Sequence, residues 1–347
     1  MRDYGPPRLI VELTNSCNLH CSYCLRDEEA LYHSPAKFFP VDLLRRIIGE
    51  ARDAIGASHV MFTGGETTLH PAFSEILATV NQQGLKCSFV TNGWHFERVW
   101  PAITACRDAI THVAFSLDGA TREAHDRWRG KGSFVRIVSA LSRCRRAELP
   151  FIIKTVIRKD TLPQLEQIAI FAARMGASAL SFAHLLPTSE SIEDLLSIED
   201  RTAAEQEIAA LAQIFKMRVS IDVGYYNIDP AAPCSALASR SCNIDYEGRL
   251  SLCCNLSGYR RASKLDDVIA DLNVESFAAG FERLQKLANE QVQRRRDALA
   301  AHAAQNGTPD LYLGSPCLFC LQTFDKIPWH NRANLSRALP IFEAARS

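Results

Sequence analysis

The sequence predicts an α/β fold built on a largely parallel sheet, and three observations carry that prediction. Short runs of strand character alternate with longer segments of helical spacing through the first two thirds of the chain. The order strand, helix, strand repeats about six times, and right-handed crossovers turn such an order into parallel pairing. With 347 residues, 47% of them hydrophobic and 22% charged, there is material for a large core, and a disordered or fibrous chain is excluded. Periodicity alone does not choose between a doubly wound sheet and an open barrel.

The elements follow in order. Strands are expected at Arg8 to Leu13, His59 to Thr63, Lys86 to Thr91, His112 to Leu117, Phe151 to Ile157 and Ala179 to His184. Between them Val41 to Ile55, Ala72 to Gln83, Phe134 to Ala147 and Leu162 to Met175 carry apolar residues at helical spacing. The alternation ends in an acidic, serine-rich connection, Ser189 to Asp200, followed by a helix over Arg201 to Met217 and a strand over Val219 to Val223. From Tyr225 the character changes: Asp229-Pro230 and Ala231 to Pro233 break regular structure, and six cysteines follow. A boundary is therefore expected there, with one domain over 1–224, a second over 225–330 and a tail over 331–347. Val274 to Gln305 reads as a long helix burying Phe277, Phe281, Leu284, Leu287 and Val292, with Arg294 to Arg296 on a solvated face.

Lysine plus arginine (39) balances aspartate plus glutamate (39), which argues against bulk attraction to nucleic acid or an anionic membrane. No run reaches the roughly 18 apolar residues of a membrane span, and Met1 to Pro7 has no signal-peptide core, so the expected location is the cytoplasm. Twelve cysteines in a reducing compartment, grouped in clusters, point to metal ligation rather than disulfides. Cys87, Cys106 and Cys144 lie within a strand or helices and read as core residues.

Directly after the first strand, T-N-S-C-N-L-H-C-S-Y-C sets Cys17, Cys21 and Cys24 in one loop at a strand's carboxyl end, where parallel α/β folds bind ligands. Three thiolates can ligate three irons of a four-iron cluster and leave the fourth open to a non-protein group. A zinc site would want four protein ligands, with His20 or His33 as the fourth. The next three strands each end in a polar motif: Gly64-Gly65-Glu66, Thr91-Asn92-Gly93 and Ser116-Leu117-Asp118-Gly119.

The cysteine triple, with Tyr23 before its last member, resembles the radical S-adenosylmethionine (SAM) superfamily over roughly residues 8 to 185. The resemblance implies a partial (β/α)6 TIM-like barrel and a 4Fe-4S cluster on Cys17, Cys21 and Cys24. It also implies SAM bound at the open iron and cleaved to a 5'-deoxyadenosyl radical that abstracts hydrogen from substrate. Gly64 and Gly65, with Glu66, would contact the SAM amino group, and Ser116 and Asp118 would lie near its ribose. Asn92 and Tyr23 complete the expected contacts. The polar stretch with His125, Arg127, Arg129 and Lys131 resembles one common in this group, either positioning SAM or forming a surface loop.

Later in the chain, the residues between Cys242 and Cys253 read as a hairpin turning at Glu247-Gly248, and Cys317 and Cys320 form a C-x2-C pair. The set resembles the auxiliary-cluster domains called SPASM and Twitch, closest to the single-cluster Twitch type. That implies an α+β domain and an auxiliary 4Fe-4S cluster on Cys234, Cys253, Cys317 and Cys320, with zinc on the same four residues as the alternative. Cys242 and Cys254 are left over: either could replace a neighbouring ligand, donate a hydrogen atom to a substrate radical, or be a small buried residue. His184, Glu190, Lys154 and Arg158 are further candidates for cofactor or substrate contacts.

The expected activity is oxidation, cross-linking or epimerisation of a ribosomally made peptide, with a reducing partner such as flavodoxin or ferredoxin. A sugar or aminocyclitol dehydrogenase or epimerase is the alternative, and a non-catalytic zinc or iron-sulfur protein the alternative of another class. With the first strand at about residue 8, no space is expected for an amino-terminal leader-binding domain, so a peptide would come with a separate carrier or bind directly.

Overall fold

The computed structural model describes residues 7–26, 29–188, 191, 194–229, 233–259, 265–304 and 309–327. Seven strands, β1 (Arg8–Glu12), β2 (His59–Thr63), β3 (Lys86–Thr91), β4 (Ile110–Ser116), β5 (Phe151–Ile157), β6 (Ala179–His184) and β7 (Arg218–Val223), pair in parallel in chain order. Helices α1 (Val41–Ile55), α2 (Phe73–Gln82), α3 (Phe96–Ala105), α4 (Arg122–Arg129), α5 (Ser133–Arg146), α6 (Leu165–Met175) and α7 (Ile198–Ile214) fill the crossovers. A doubly wound sheet reverses strand order at a switch point. Unbroken order from β1 to β7 selects the partial barrel instead.

The side-chain period of two decides what each strand does. On β5, Phe151, Ile153 and Ile157 are buried beneath the helices, while Lys154 and Val156 line the concave side. On β2, Val60 and Phe62 are fully buried and Met61 and Thr63 face inward to the cavity. Helix ends are set locally. Thr121 and Ser197 accept from the backbone N–H groups of Ala124 and Asp200, and Gly56 and Gly176 stop α1 and α6 in the left-handed conformation.

The remaining elements are β8 (Ser241–Ile244), β9 (Arg249–Ser251), the single turn α8 (Cys254–Ser257), β10 (Val268–Asp271), the long α9 (Phe277–Ala303), and the short α10 (Leu311–Gly314) and α11 (Pro316–Thr323). The hairpin forms where expected: Gly248, at φ 82°, donates to the Asp245 carbonyl, and the Asp245 carboxylate accepts from the Glu247 and Arg249 N–H groups. β8 pairs in parallel with β1, so the sheet runs β10-β9-β8-β1 through β7, ten strands in all. The change of character at Tyr225 therefore does not divide the sheet, and β8 occupies the edge of β1 that barrel closure would need.

Two sequence expectations are corrected here. The stretch from His125 to Arg129 belongs to α4 rather than to a loop. Arg295 is buried, its guanidinium donating to the carbonyls of Asn227, Leu313 and Gly314, whereas Arg294 and Arg296 are exposed as expected. The tail over 331–347 lies outside the described residues, and among those described no helix is long and apolar enough to cross a membrane.

Candidate functional site

A cavity of about 330 Å³ opens at the carboxyl ends of the parallel strands. Cys17, Cys21 and Cys24 lie on its wall, together with Tyr23, Gly64, Gly65, Glu66, Asn92 and Ser116. Burial pushes the Cys17 thiol up to about 12 and raises Cys21 as well. The thiolate is the ligand form, so metal binding at these cysteines releases protons.

The glycines at the end of β2 are required by the cysteine loop itself. Gly64 sits at φ +131°, and a Cβ there would stand 2.6 Å from the Thr14 carbonyl oxygen. At Gly65 a Cβ would lie 2.0 Å from the Ser16 carbonyl oxygen. Gly65 and Glu66 donate their N–H groups, both at 2.8 Å, to the same two carbonyls. Close approach thus fixes the cysteine loop against the β2 loop.

Glu66 ties this pair to the third strand end. Its buried carboxylate accepts from Thr68 Oγ1 and Thr91 Oγ1, each at 2.6 Å, from the Asn92 N–H at 2.7 Å and from the Thr68 N–H at 3.2 Å. Burial raises its pKa, and those four hydrogen bonds oppose the rise. Asn92 Nδ2 then donates to Asn18 Oδ1 in the cysteine loop at 3.0 Å.

Asp118 sits behind the cavity wall. Its carboxylate is fully buried and is not among the groups lining the cavity. It accepts from the Tyr23 hydroxyl, from Arg129 Nε and from the Val156 N–H, and Arg158 Nη1 stands 3.7 Å away. Burial works to raise its pKa, but Arg129 and Arg158, with the Tyr23 hydrogen bond, outweigh that and hold the carboxyl down at about 2. Arg158 stacks over the Tyr23 and Trp128 rings, 4.7 and 4.2 Å from their centroids, and is likewise absent from the cavity wall. His125 is buried and held neutral by burial, its pKa at about 4, with Nδ1 accepting from the Asp118 N–H. Asp118 thus orients Tyr23 and Arg129, which do face the cavity.

Lys154 and His184 also lie on the wall of this cavity. Lys154 Nζ stands 3.8 Å from Asp222, and His184 Nε2 pairs with Glu205 at 3.1 Å. Glu190 lies outside the described residues. His20 stacks on Tyr32 with centroids 3.9 Å apart. Among the described residues no three His, Cys, Asp or Glu side chains gather closely enough to hold one metal ion.

A second, smaller cavity is lined by Cys234, Cys253, Cys317 and Cys320 with Leu237, Leu252 and Leu256. Cys253 lines this cavity and Cys254 the larger one, and the two adjacent thiols are hydrogen-bonded to each other at the boundary between them. Cys242 is fully buried within β8 and lines neither, and Cys87, Cys106 and Cys144 are buried. One buried residue that sequence reasoning passed over joins the two regions. Glu12, at the end of β1, accepts from Arg26 Nη1 at 2.8 Å and from the Ser257 hydroxyl.

Residues 11–172 match the Radical SAM superfamily. The mycofactocin maturase MftC of Mycobacterium ulcerans is 31% identical over 265 residues, covering 72% of this chain and 68% of that protein. The chain belongs to the radical SAM superfamily. The AdoMet-dependent heme synthase of Methanosarcina barkeri is 32% identical over 191 residues, 54% of this chain and 53% of that protein. The chain thus spans about half to two thirds of the length of these curated relatives. Among solved structures, Streptococcus suis SuiB bound to its precursor peptide SuiA superposes with a TM-score of 0.66 at 14% identity, over 80% of this chain and 64% of that one. This likeness shows the shared fold. Membership in the superfamily implies a four-iron cluster and SAM, and the donor set fits them: three thiols from one loop, facing a cavity beside the Gly64-Gly65 turn.

Proposed function

We propose that this radical SAM enzyme oxidises, cross-links or epimerises a ribosomally made peptide. The observation that carries the reading is the convergence of the cysteine triple and the ends of β2, β3 and β4 on one cavity, into which Cys254 and Lys154 also face. The maturase MftC and the peptide-bound SuiB support a peptide over a sugar or aminocyclitol.

Cys17, Cys21 and Cys24 would hold the cluster, and Gly64, Gly65, Glu66, Asn92, Ser116 and Tyr23 would form the SAM side of the cavity. When bound, the reduced cluster and SAM supply a 5'-deoxyadenosyl radical that takes a hydrogen atom from substrate. The chain's own residues orient the reactants and exclude water. Tyr23 and Arg129 are fixed by Asp118, Glu66 locks two strand ends together, and the leucines of the wall keep the space apolar. Cys254, which lines the cavity, would return a hydrogen atom if the outcome is epimerisation; Cys242 is buried in β8 and lines neither cavity.

Cys234, Cys253, Cys317 and Cys320 would hold an auxiliary 4Fe-4S cluster in the second cavity. Such a cluster would supply an acceptor for the one electron that a deprotonated substrate radical gives up in the oxidative outcome. We retain 1–224 and 225–330 as a division of function, one part for each cluster, within a continuous sheet. The reducing partner is of the flavodoxin or ferredoxin kind, and the location is the cytoplasm.

Anaerobic reconstitution, reduction with SAM and mass spectrometry of candidate peptides test the reading. Formation of 5'-deoxyadenosine is expected, with a loss of two hydrogens for oxidation or cross-linking, or an unchanged mass with solvent deuterium gained for epimerisation. Intact clusters that yield no 5'-deoxyadenosine would overturn it.

A further inference from the structure

Each thiol of the second cavity already accepts an N–H group. Cys234 lies on the backbone N–H groups of Ala236 and Leu237, Cys253 accepts from the Asn255 N–H at 3.4 Å, and Cys317 from the Gly224 N–H at 3.3 Å. These are main-chain donors that follow from the local fold. The fourth is a side chain: Gln291 Nε2 of α9 donates to Cys320 Sγ at 3.5 Å.

Gln291 is about 1% exposed, on a helix face otherwise filled by Leu284, Ala288 and Leu299. Its Oε1 accepts from Arg294 Nη1 at 3.4 Å, which keeps the amide's N–H side turned to the sulfur. One turn on, the buried Arg295 shares a small cavity wall with Cys234 and Pro316, and among the described residues no carboxylate pairs with it. A buried amide needs a hydrogen-bond partner and a buried guanidinium also needs opposite charge; Arg295 has its hydrogen bonds from the carbonyls of Asn227, Leu313 and Gly314, and the neighbouring cysteines are where the charge would come from. Hydrogen bonds to cluster sulfurs and nearby positive charge both favour the reduced, more negative form of a cluster.

We propose that Gln291 is the residue that sets the reduction potential of the auxiliary cluster, holding it high enough to accept the electron released by the substrate radical. The inference rests on the reading that Cys234, Cys253, Cys317 and Cys320 hold a cluster. Gln291 touches no substrate and is a positioning residue acting through Cys320.

The test is a redox titration of the holoenzyme followed by electron paramagnetic resonance, in wild type, Gln291→Leu, Gln291→Glu and Arg294→Leu. In Gln291→Leu the auxiliary cluster should become about three- to tenfold more oxidised at a fixed poise, the size of one hydrogen bond, which is ~30–60 mV for a one-electron couple. Gln291→Glu should shift it further the same way, and the first cluster should not move. Arg294 is exposed, so Arg294→Leu is tolerated even if the buried variants take up no cluster, and it should give a smaller shift of the same sign. Two clusters with an auxiliary potential unchanged in these variants, or with both potentials moving equally, would overturn the assignment. Iron analysis of wild type giving ~4 rather than ~8 irons per chain would instead overturn the reading on which it rests.

Discussion

Asp118→Asn separates a clamp from a ligand contact. The Asp118 carboxyl is held at about 2 against an ordinary 3.8, a difference that corresponds to about 2 kcal/mol of folded-state stabilisation. The sign follows from linkage. The folded value is depressed, so this contribution is fully present above about 3.8 and disappears as the pH falls through about 2. The amide loses that contribution and leaves two guanidiniums, Arg129 and Arg158, without their shared carboxylate in a buried setting. Removing one partner from such a group costs about 3–5 kcal/mol. Anaerobic urea titration at neutral pH should therefore show a loss in that range. Tyr23→Phe, which removes one hydrogen bond to the same carboxylate, should cost about 1–2 kcal/mol. A loss below about 1 kcal/mol in Asp118→Asn, accompanied by weaker SAM binding, would refute the clamp and return Asp118 to the ribose.

Three further outcomes are expected. Gly65→Ala should abolish iron uptake at the first site, because its Cβ would lie 2.0 Å from a backbone oxygen, whereas Gly84→Ala, in open space at φ +72°, should cost about 1–2 kcal/mol and keep its iron. Iron analysis should fall from ~8 to ~4 per chain in Cys253→Ser, the thiol that lines the second cavity, and fall less in Cys254→Ser, which lines the larger cavity and reaches the second only through its hydrogen bond to Cys253. Lys326→Met should lower stability by about 3–5 kcal/mol by stranding buried Asp267, its partner at 2.7 Å, and Lys326→Met with Asp267→Leu should recover most of the loss in denaturant titrations.

The sequence by itself determined the alternation of β1 to β7 with helices, the hairpin turning at Gly248 and the two cysteine groups, because these are written in local periodicity, turn chemistry and short spacings. It also placed three polar motifs at successive strand ends, which is where β2, β3 and β4 deliver them. It did not decide which of Cys253 and Cys254 lines which cavity, because the two are adjacent and only the path of the backbone out of β9 fixes the side each takes. Nor did it reveal that Asp118 is consumed by Arg129 and Arg158, since those partners come from a different turn of chain and a different strand. The buried stripe of α9 was legible as far as Leu284, and continuing it by steps of three and four reaches Gln291 and Arg295. Arg295 was read as solvated and Gln291 was passed over, and only packing against the segments carrying Cys234 and Cys320 shows that both are buried. Burial is a property of what lies across an interface, and a linear sequence names only one side of it.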